Sequence, residues 1–266
     1  MSDADAPTRS GPSVDAGNSR DGSLSTVSVL AGALSRLGAN PAALVALLLA
    51  GGAVAGIDWV RLHDPVPTVG YEGIQQGRVA VEFDVMVNVA SRATTPASAL
   101  LHLEPAWLAA TVGLALVELA VVVAASSYAL GRLLDVQPSP TAVARYGLAV
   151  ALFRYSLLRA TFDGGAVVVG LLLVAALFVV AVRLVLLPVG LLLGDSFGGA
   201  VRRSWRATRG HGWALLGVAL VIGVANHLLV SVALVGPVGS GAVAAVHAGA
   251  LAAVVSRLDA GGTGPR

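Results

Sequence analysis

Four groups of residues in this sequence have types and spacings that can do chemistry. Gly194-Asp195-Ser196-Phe197-Gly198 satisfies G-x-S-x-G, the pattern of a serine nucleophile held on a strand-to-helix turn. Glu118 and Arg154 each stand inside an otherwise apolar run, where an ionisable side chain is costly and is usually paired. Asn226, His227 and His247 put an amide and two imidazoles in the last apolar stretches, the groups of a metal site or a proton relay. Arg202, Arg203, Arg206 and Arg209 crowd the stretch AVRRSWRATRGHGW (Ala200–Trp213), and guanidiniums fork onto phosphate oxygens.

Each group has a plainer reading. The nucleophile pattern needs a strand before the turn and a histidine at the serine's depth, whereas a helical apolar run precedes Ser196 and only His211 is near it in sequence. Asp195 or Ser196 as the cap of a helix accounts for the residues, so an intramembrane hydrolase at Ser196 is a remote alternative. The last spans carry no carboxylate to complete a ligand set for His227 and His247, so hydrogen bonding between helices is expected there and no metal or cofactor. Glu118 and Arg154 serve equally as an ion pair that fixes helix packing or as a site on a transport path.

What positions these residues is a membrane. The chain is 56% hydrophobic and 12% charged, with a mean hydropathy of +0.82, against roughly 25% charged residues in a soluble domain. Apolar runs of about 20 residues recur, the length a helix needs to cross about 30 Å of hydrocarbon, and ten-residue alternating barrel strands do not. An all-α integral membrane protein is therefore expected. All 17 basic residues are arginine and there is no cysteine, which removes structural disulfides and thiolate chemistry. The net charge is only +2 and the arginines flank apolar spans, so nucleic acid is not an expected partner and membrane lipid is.

Residues 1–23 are small, polar and without an apolar run, which predicts a disordered tail, with residues 259–266 as a second tail around a membrane domain of 24–258. Leu24, Val27, Leu30, Leu34 and Leu37 recur at helical spacing, predicting a short interfacial helix that Asn40-Pro41 ends. Spans are expected at Leu37–Ile57, Ala106–Leu130, Gly164–Leu187, Trp213–Val235 and Val238–Val255. Residues 58–104 read as a net acidic extracytoplasmic loop, a place for a protein partner. Val79, Val81, Phe83, Val85, Val87 and Val89 alternate with small or polar residues inside it, predicting a strand that Gln76-Gly77 folds back on 66–74 as a small β-hairpin.

Thr141–Thr161 carries Arg145, Arg154 and Arg159, and the distribution of charge decides its place. If it crosses, the basic segments 131–145 and 195–211 both face the cytoplasm, opposite the acidic loop. Asp163-Gly164-Gly165 is then a tight external turn. Six transmembrane helices with both termini cytoplasmic are expected, in the cell membrane. In that arrangement Glu118 and Arg154 lie about 18 and 20 Å along antiparallel neighbours, within a turn or two of the same depth. Residues 196–210 form an amphipathic helix, too polar to span, with Phe197, Val201, Ser204, Trp205 and Thr208 on one side and the four arginines around the other. It is expected to lie on the cytoplasmic surface with Trp205 in the headgroup layer and the arginines on lipid phosphates.

Residues Arg183–Gly223, RLVLLPVGLLLGDSFGGAVRRSWRATRGHGWALLGVALVIG, resemble the signature segment of an uncharacterised family of multi-pass membrane proteins related to the membrane domain of glycerophosphodiester phosphodiesterases. The shared features are a span ending in Leu-Pro, an apolar turn and an Ala-x-Arg-Arg-Ser-Trp-x-x-Thr-Arg-Gly helix. The lysine-free composition with an acidic loop is similar to haloarchaeal members. The resemblance implies a helical membrane domain and no catalytic residue, because the soluble phosphodiesterase barrel is absent. A non-enzymatic membrane scaffold or lipid-interacting component is the expected function, with a transporter or permease using Glu118, Arg154 and the histidines as the alternative.

Overall fold

The computed structural model describes residues 24–70, 78–82, 85–157, 159–163, 167–232 and 236–262. Helix α1 (Thr26–Ala39) begins on a capping box in which Ser25 and Ser28 bond each other's backbone amides. Asn40 closes it, and Pro41 opens α2 (Pro41–His63) at the first-turn position where proline costs no hydrogen bond. Strands β1 (Val69–Gly70), β2 (Arg78–Glu82) and β3 (Ala93–Thr94) and the single turn α3 (Ala97–Leu100) lead to α4 (Pro105–Leu134), which ends where Asp135 turns left-handed at φ 54°. Next come α5 (Pro140–Leu152), a π-helical turn at Phe153–Leu157, β4 (Arg159–Asp163) and α6 (Val167–Leu184). The chain closes with α7 (Leu187–Leu192), α8 (Phe197–Ala207), α9 (Gly212–Val230) and α10 (Gly236–Gly262).

Among the described residues five stretches are long and apolar enough to cross a membrane: Pro41–His63, Pro105–Leu134, Ala175–Leu192, Gly212–Val230 and Gly236–Leu258. The protein is a helical, membrane-type chain with very little strand. Helix α10 is its axis. Gly51 and Gly241 set α2 antiparallel against it: a β-carbon on Gly51 would meet the Pro237 carbonyl at 2.5 Å, and one on Gly241 would run into the Leu47 carbonyl. Farther along α10, Gly32 faces Ala253 and Gly249 faces Ala33, so α1 continues the same groove. Small residues let the backbones come this close, and dispersion contacts gain from it.

Several expectations need correction. Thr141–Thr161 is not one α-helix: α5 passes into the π turn and then into β4, which pairs antiparallel with β2 from Arg78↔Asp163 to Glu82↔Arg159. Among the described residues the strands on either side of the expected hairpin turn pair at long range, β2 with β4 and β1 with β3, and not with each other. Local alternation marks extended backbone, and it does not name the partner. Residues 58–63 belong to α2 rather than to the loop. Residues 259–262 continue α10 instead of starting a tail. The short helix α1 packs Val29, Ala33 and Leu37 into the bundle beside Leu24, while Val27 and Leu34 of the expected apolar face stand exposed. The Gly164–Leu187 run breaks after Leu184, and α7 beyond the break is buried throughout. Residues 1–23, 263–266, the Gln76-Gly77 turn and Gly164-Gly165 lie outside the described residues.

Candidate functional site

Glu118 stands mid-way along α4 and is 1% exposed. Its two carboxylate oxygens take different partners: Oε1 pairs with Nη2 of Arg154, and Oε2 lies 2.7 Å from Nη1 of Arg61. Arg154 is carried on the π turn and Arg61 on the last turns of α2, so one carboxylate ties three elements together. A π turn inside a helix re-aims the side chains that follow the inserted residue, and such turns gather at functional positions. The sequence pair Glu118 and Arg154 is thus in contact, with a third member that sequence reading placed elsewhere.

Asp58, one turn before Arg61 on α2 and 4% exposed, extends the group. Its Oδ1 accepts from Ser91 Oγ at 2.5 Å and lies 3.8 Å from Arg61 Nη1, and its Oδ2 accepts from the backbone amide of Arg92 at 2.7 Å. Arg61 Nη1 also donates to the Ala93 carbonyl at 3.2 Å. Two carboxylates and two guanidiniums therefore share one buried network, in which each charge has a counter-charge and a hydrogen bond. That is the condition on which ion pairs survive burial at all.

The network grips a stretch of backbone that is neither helix nor sheet. Residues 85–90 carry neither helix nor strand and bend at Met86, and Val85, Met86, Val87 and Val89 are buried in the bundle core. Non-helical backbone at this depth must find partners in the protein. Tyr146 of α5 donates from its hydroxyl to the Val87 carbonyl at 3.3 Å. Arg154 Nη1 donates to Asn88 Oδ1 at 3.0 Å and to the Val89 carbonyl at 3.4 Å. The Ala90 amide donates to Ser240 Oγ of α10 at 2.8 Å.

Of the arginine group, Arg202, Arg203 and Arg206 lie on α8, which ends at Ala207 rather than 210 and leaves Arg209 in the turn beyond it; the hydroxyl cap is Ser196, accepting from the Gly199 amide at 3.2 Å. Helix α7 and a turn with Gly194 at φ 93° precede that cap, so no strand leads into the G-x-S-x-G match. One face of α8 is locked to the bundle. Buried Ser204 donates to the Arg183 carbonyl at 2.6 Å and accepts from the Leu186 amide at 3.1 Å, and Ala200 packs on Gly190. Arg202, Arg203, Arg206 and Arg209 are exposed on the other side, Arg203 pairing with Asp195 at 3.3 Å. Trp205 is 39% exposed, and the Arg183 guanidinium stacks over its ring at 5.7 Å. Its neighbour is thus an arginine of α6, where sequence reading expected headgroups alone.

Asn226, His227 and His247 do not form a group. Leu229 packs on Gly239, which fixes α9 antiparallel to α10 and puts His227 near the level of residue 241. His247 is six residues, about 9 Å, deeper and is buried, whereas His227 faces outward. Among the described residues no three His, Asp or Glu side chains gather as metal ligands.

Sequence reading missed Asp58, Arg61, Asn88 and Ser91. Asp58 and Arg61 looked like the polar end of a span. The available signal was their i,i+3 spacing, which puts both on one face of a helix that needs no end before His63. No family model, no curated protein and no solved structure matches this chain.

Proposed function

We propose that this chain is a non-enzymatic, six-crossing protein of the cell membrane, with both termini cytoplasmic, that presents an arginine face to anionic lipid as a scaffold or lipid-interacting component. The observation that carries the reading is the two-sided α8: Ala200 and Ser204 fasten one face to the bundle, while Arg202, Arg203 and Arg206 stand exposed on the other, with Arg209 exposed in the turn that follows. Guanidiniums held at a membrane surface gain about 1 kcal/mol each from anionic headgroups. A fastened helix gives up little entropy when it binds them. The resemblance of Arg183–Gly223 to the uncharacterised multi-pass family supports the same assignment, as does the Glu118 network, whose charges pair with one another in joining helices.

The test is native mass spectrometry of the purified protein beside an Arg202/Arg203/Arg206/Arg209→Ala variant, both taken from vesicles containing phosphatidylglycerol. Bound lipid retained by the parent chain and lost in the variant is the expected result. Equal retention by both removes the arginine face from the reading.

The Asp58, Arg61, Glu118 and Arg154 network favours a second reading, a transporter or permease, because charged side chains beside unwound backbone are how membrane bundles build solute sites. Under it, Glu118→Gln abolishes solute flux in vesicles while the fold persists. Under the first reading the same change alters stability alone.

A further inference from the structure

We propose that residues 85–92 form a latched re-entrant gate, threaded into the helix bundle and held shut by the carboxylates of Glu118 and Asp58. The inference goes beyond lipid binding at α8 and does not depend on it.

A transmembrane helix satisfies its own amides and carbonyls, so its place in the bundle costs no backbone hydrogen bonds. The 85–92 segment instead borrows donors and acceptors from side chains of α2, α5, α10 and the π turn: Asp58, Tyr146, Ser240 and Arg154. Each of those bonds depends on the setting of one side chain. The hold is therefore switchable in a way that a helix–helix contact is not.

Most of that hold leads back to two carboxylates. Arg154 grips Asn88 and the Val89 carbonyl with Nη1 while Glu118 fixes its Nη2. Asp58 takes the Ser91 hydroxyl and the Arg92 amide directly. Arg61 bridges the two ends, pairing with Glu118 at 2.7 Å and donating to the Ala93 carbonyl at 3.2 Å. Removing the charge on Glu118 takes the carboxylate partner from Arg154 and leaves Arg61 with Asp58 alone, and removing it on Asp58 frees the far end.

The ends of the segment are tethered. β2 on one side pairs with β4, and β3 on the other pairs with β1. These short antiparallel pairs outlast the loss of the latch, since neither includes residues 85–92. The segment between them moves out of the core while its ends stay in place. Its buried valines and Met86 then leave a slot bordered by Tyr146, Arg154 and Ser240.

The chain has no native cysteine, so a single introduced thiol reports the movement. Val87→Cys, at a position with no exposure, is compared with Ala245→Cys, an equally buried position on α10. Both are made in the full chain, reconstituted in vesicles and treated with a small charged methanethiosulfonate reagent. In the otherwise unchanged chain both thiols react slowly. With Glu118→Gln added, the Val87→Cys thiol is expected to react at least about tenfold faster, the factor that the loss of a single charge-assisted hydrogen bond supplies, with Ala245→Cys unchanged. With Asp58→Asn added, the same contrast is expected, which keeps the test decisive if Glu118→Gln does not fold. An unchanged rate at Val87→Cys, or an equal rise at Ala245→Cys, overturns the gate. Substituting the α8 arginines leaves the labelling rates alone, so failure of the lipid reading and failure of the gate are separate results.

Discussion

Nη1 of Arg61, near the end of α2, lies 2.7 Å from Oε2 of Glu118, in the middle of α4. Arg154 holds the other oxygen, so Glu118 is the one carboxylate between two guanidiniums that are largely withdrawn from solvent. Deleting it leaves two buried cations facing each other, and breaking a buried pair in this way costs about 3–5 kcal/mol. Glu118→Leu is expected to lose stability on that scale in a reversible unfolding titration in detergent micelles. A loss below about 1 kcal/mol would mean that water already screens the network.

The same geometry predicts non-additive losses. Arg61→Met and Arg154→Met each leave Glu118 one partner, while the double substitution leaves it none. The double variant is expected to be less stable than the sum of the single losses by about 0.5–3 kcal/mol, the coupling found within one charged network. A double-mutant cycle measures it, and strict additivity would show that the two arginines act independently.

Gly241 and Gly52 make a paired test of the α2–α10 contact. A β-carbon at Gly241 would run into the Leu47 carbonyl, a backbone group that cannot swing aside. Gly241→Ala is therefore expected to destabilise by about 1–3 kcal/mol. Gly52 lies on the exposed side of α2, where a β-carbon would have no atom within 4 Å, and alanine is the better helix former by up to about 1 kcal/mol. Gly52→Ala is expected to leave the melting temperature unchanged or raise it. Equal effects at the two glycines would contradict the helix register.

Ser204 is the fastener of α8. Substitution by alanine leaves the buried Leu186 amide without its acceptor, a loss of about 1–3 kcal/mol confined to this corner of the fold. Ser204→Ala is expected to speed amide hydrogen exchange across 197–207 and to leave α2 and α10 as protected as before. Uniform protection throughout would mean that packing of Ala200 on Gly190 suffices to hold the helix.

The outcome for each element follows from what a local pattern encodes. Apolar run length reports helices long enough to cross, and four of the five long stretches begin and end within six residues of the expected bounds, whereas Ala175–Leu192 starts eleven residues after Gly164 and runs on through the break after Leu184. Charge depth along antiparallel spans put Glu118 near Arg154, because a helix rise is fixed and the neighbours had to be adjacent. Period-two alternation over 79–89 reports an extended chain with one apolar face. It is silent on whether that face meets a sheet or the inside of a bundle, so Val85, Val87 and Val89 read as an outer strand. Asp58 and Arg61 were misplaced for a related reason: a charge near the end of an apolar run looks solvated until the partner that buries it is known. The pairing of β2 with β4 joins residues far apart in sequence, and nothing in either stretch names the other.

Topology offers the last prediction. Pro140–Leu157 provides thirteen residues of α-helix and five of π-helical turn, about 27 Å, within reach of a hydrocarbon layer about 30 Å thick. The strand after it, β4, is hydrogen-bonded to β2, which belongs to the stretch between α2 and α4. A segment that starts at the end of α4 and finishes beside the chain that leads into α4 has the connectivity of a crossing. Single cysteines at Leu101, Ser139, Thr161 and Arg209 separate the cases in intact cells treated with an impermeant maleimide. Leu101→Cys and Thr161→Cys are expected to label at once, and Ser139→Cys and Arg209→Cys only after permeabilisation. Labelling of Ser139→Cys and Thr161→Cys from the same side would give five crossings and put the arginines of α8 and the C-terminus on the outer face, against the side that basic segments prefer.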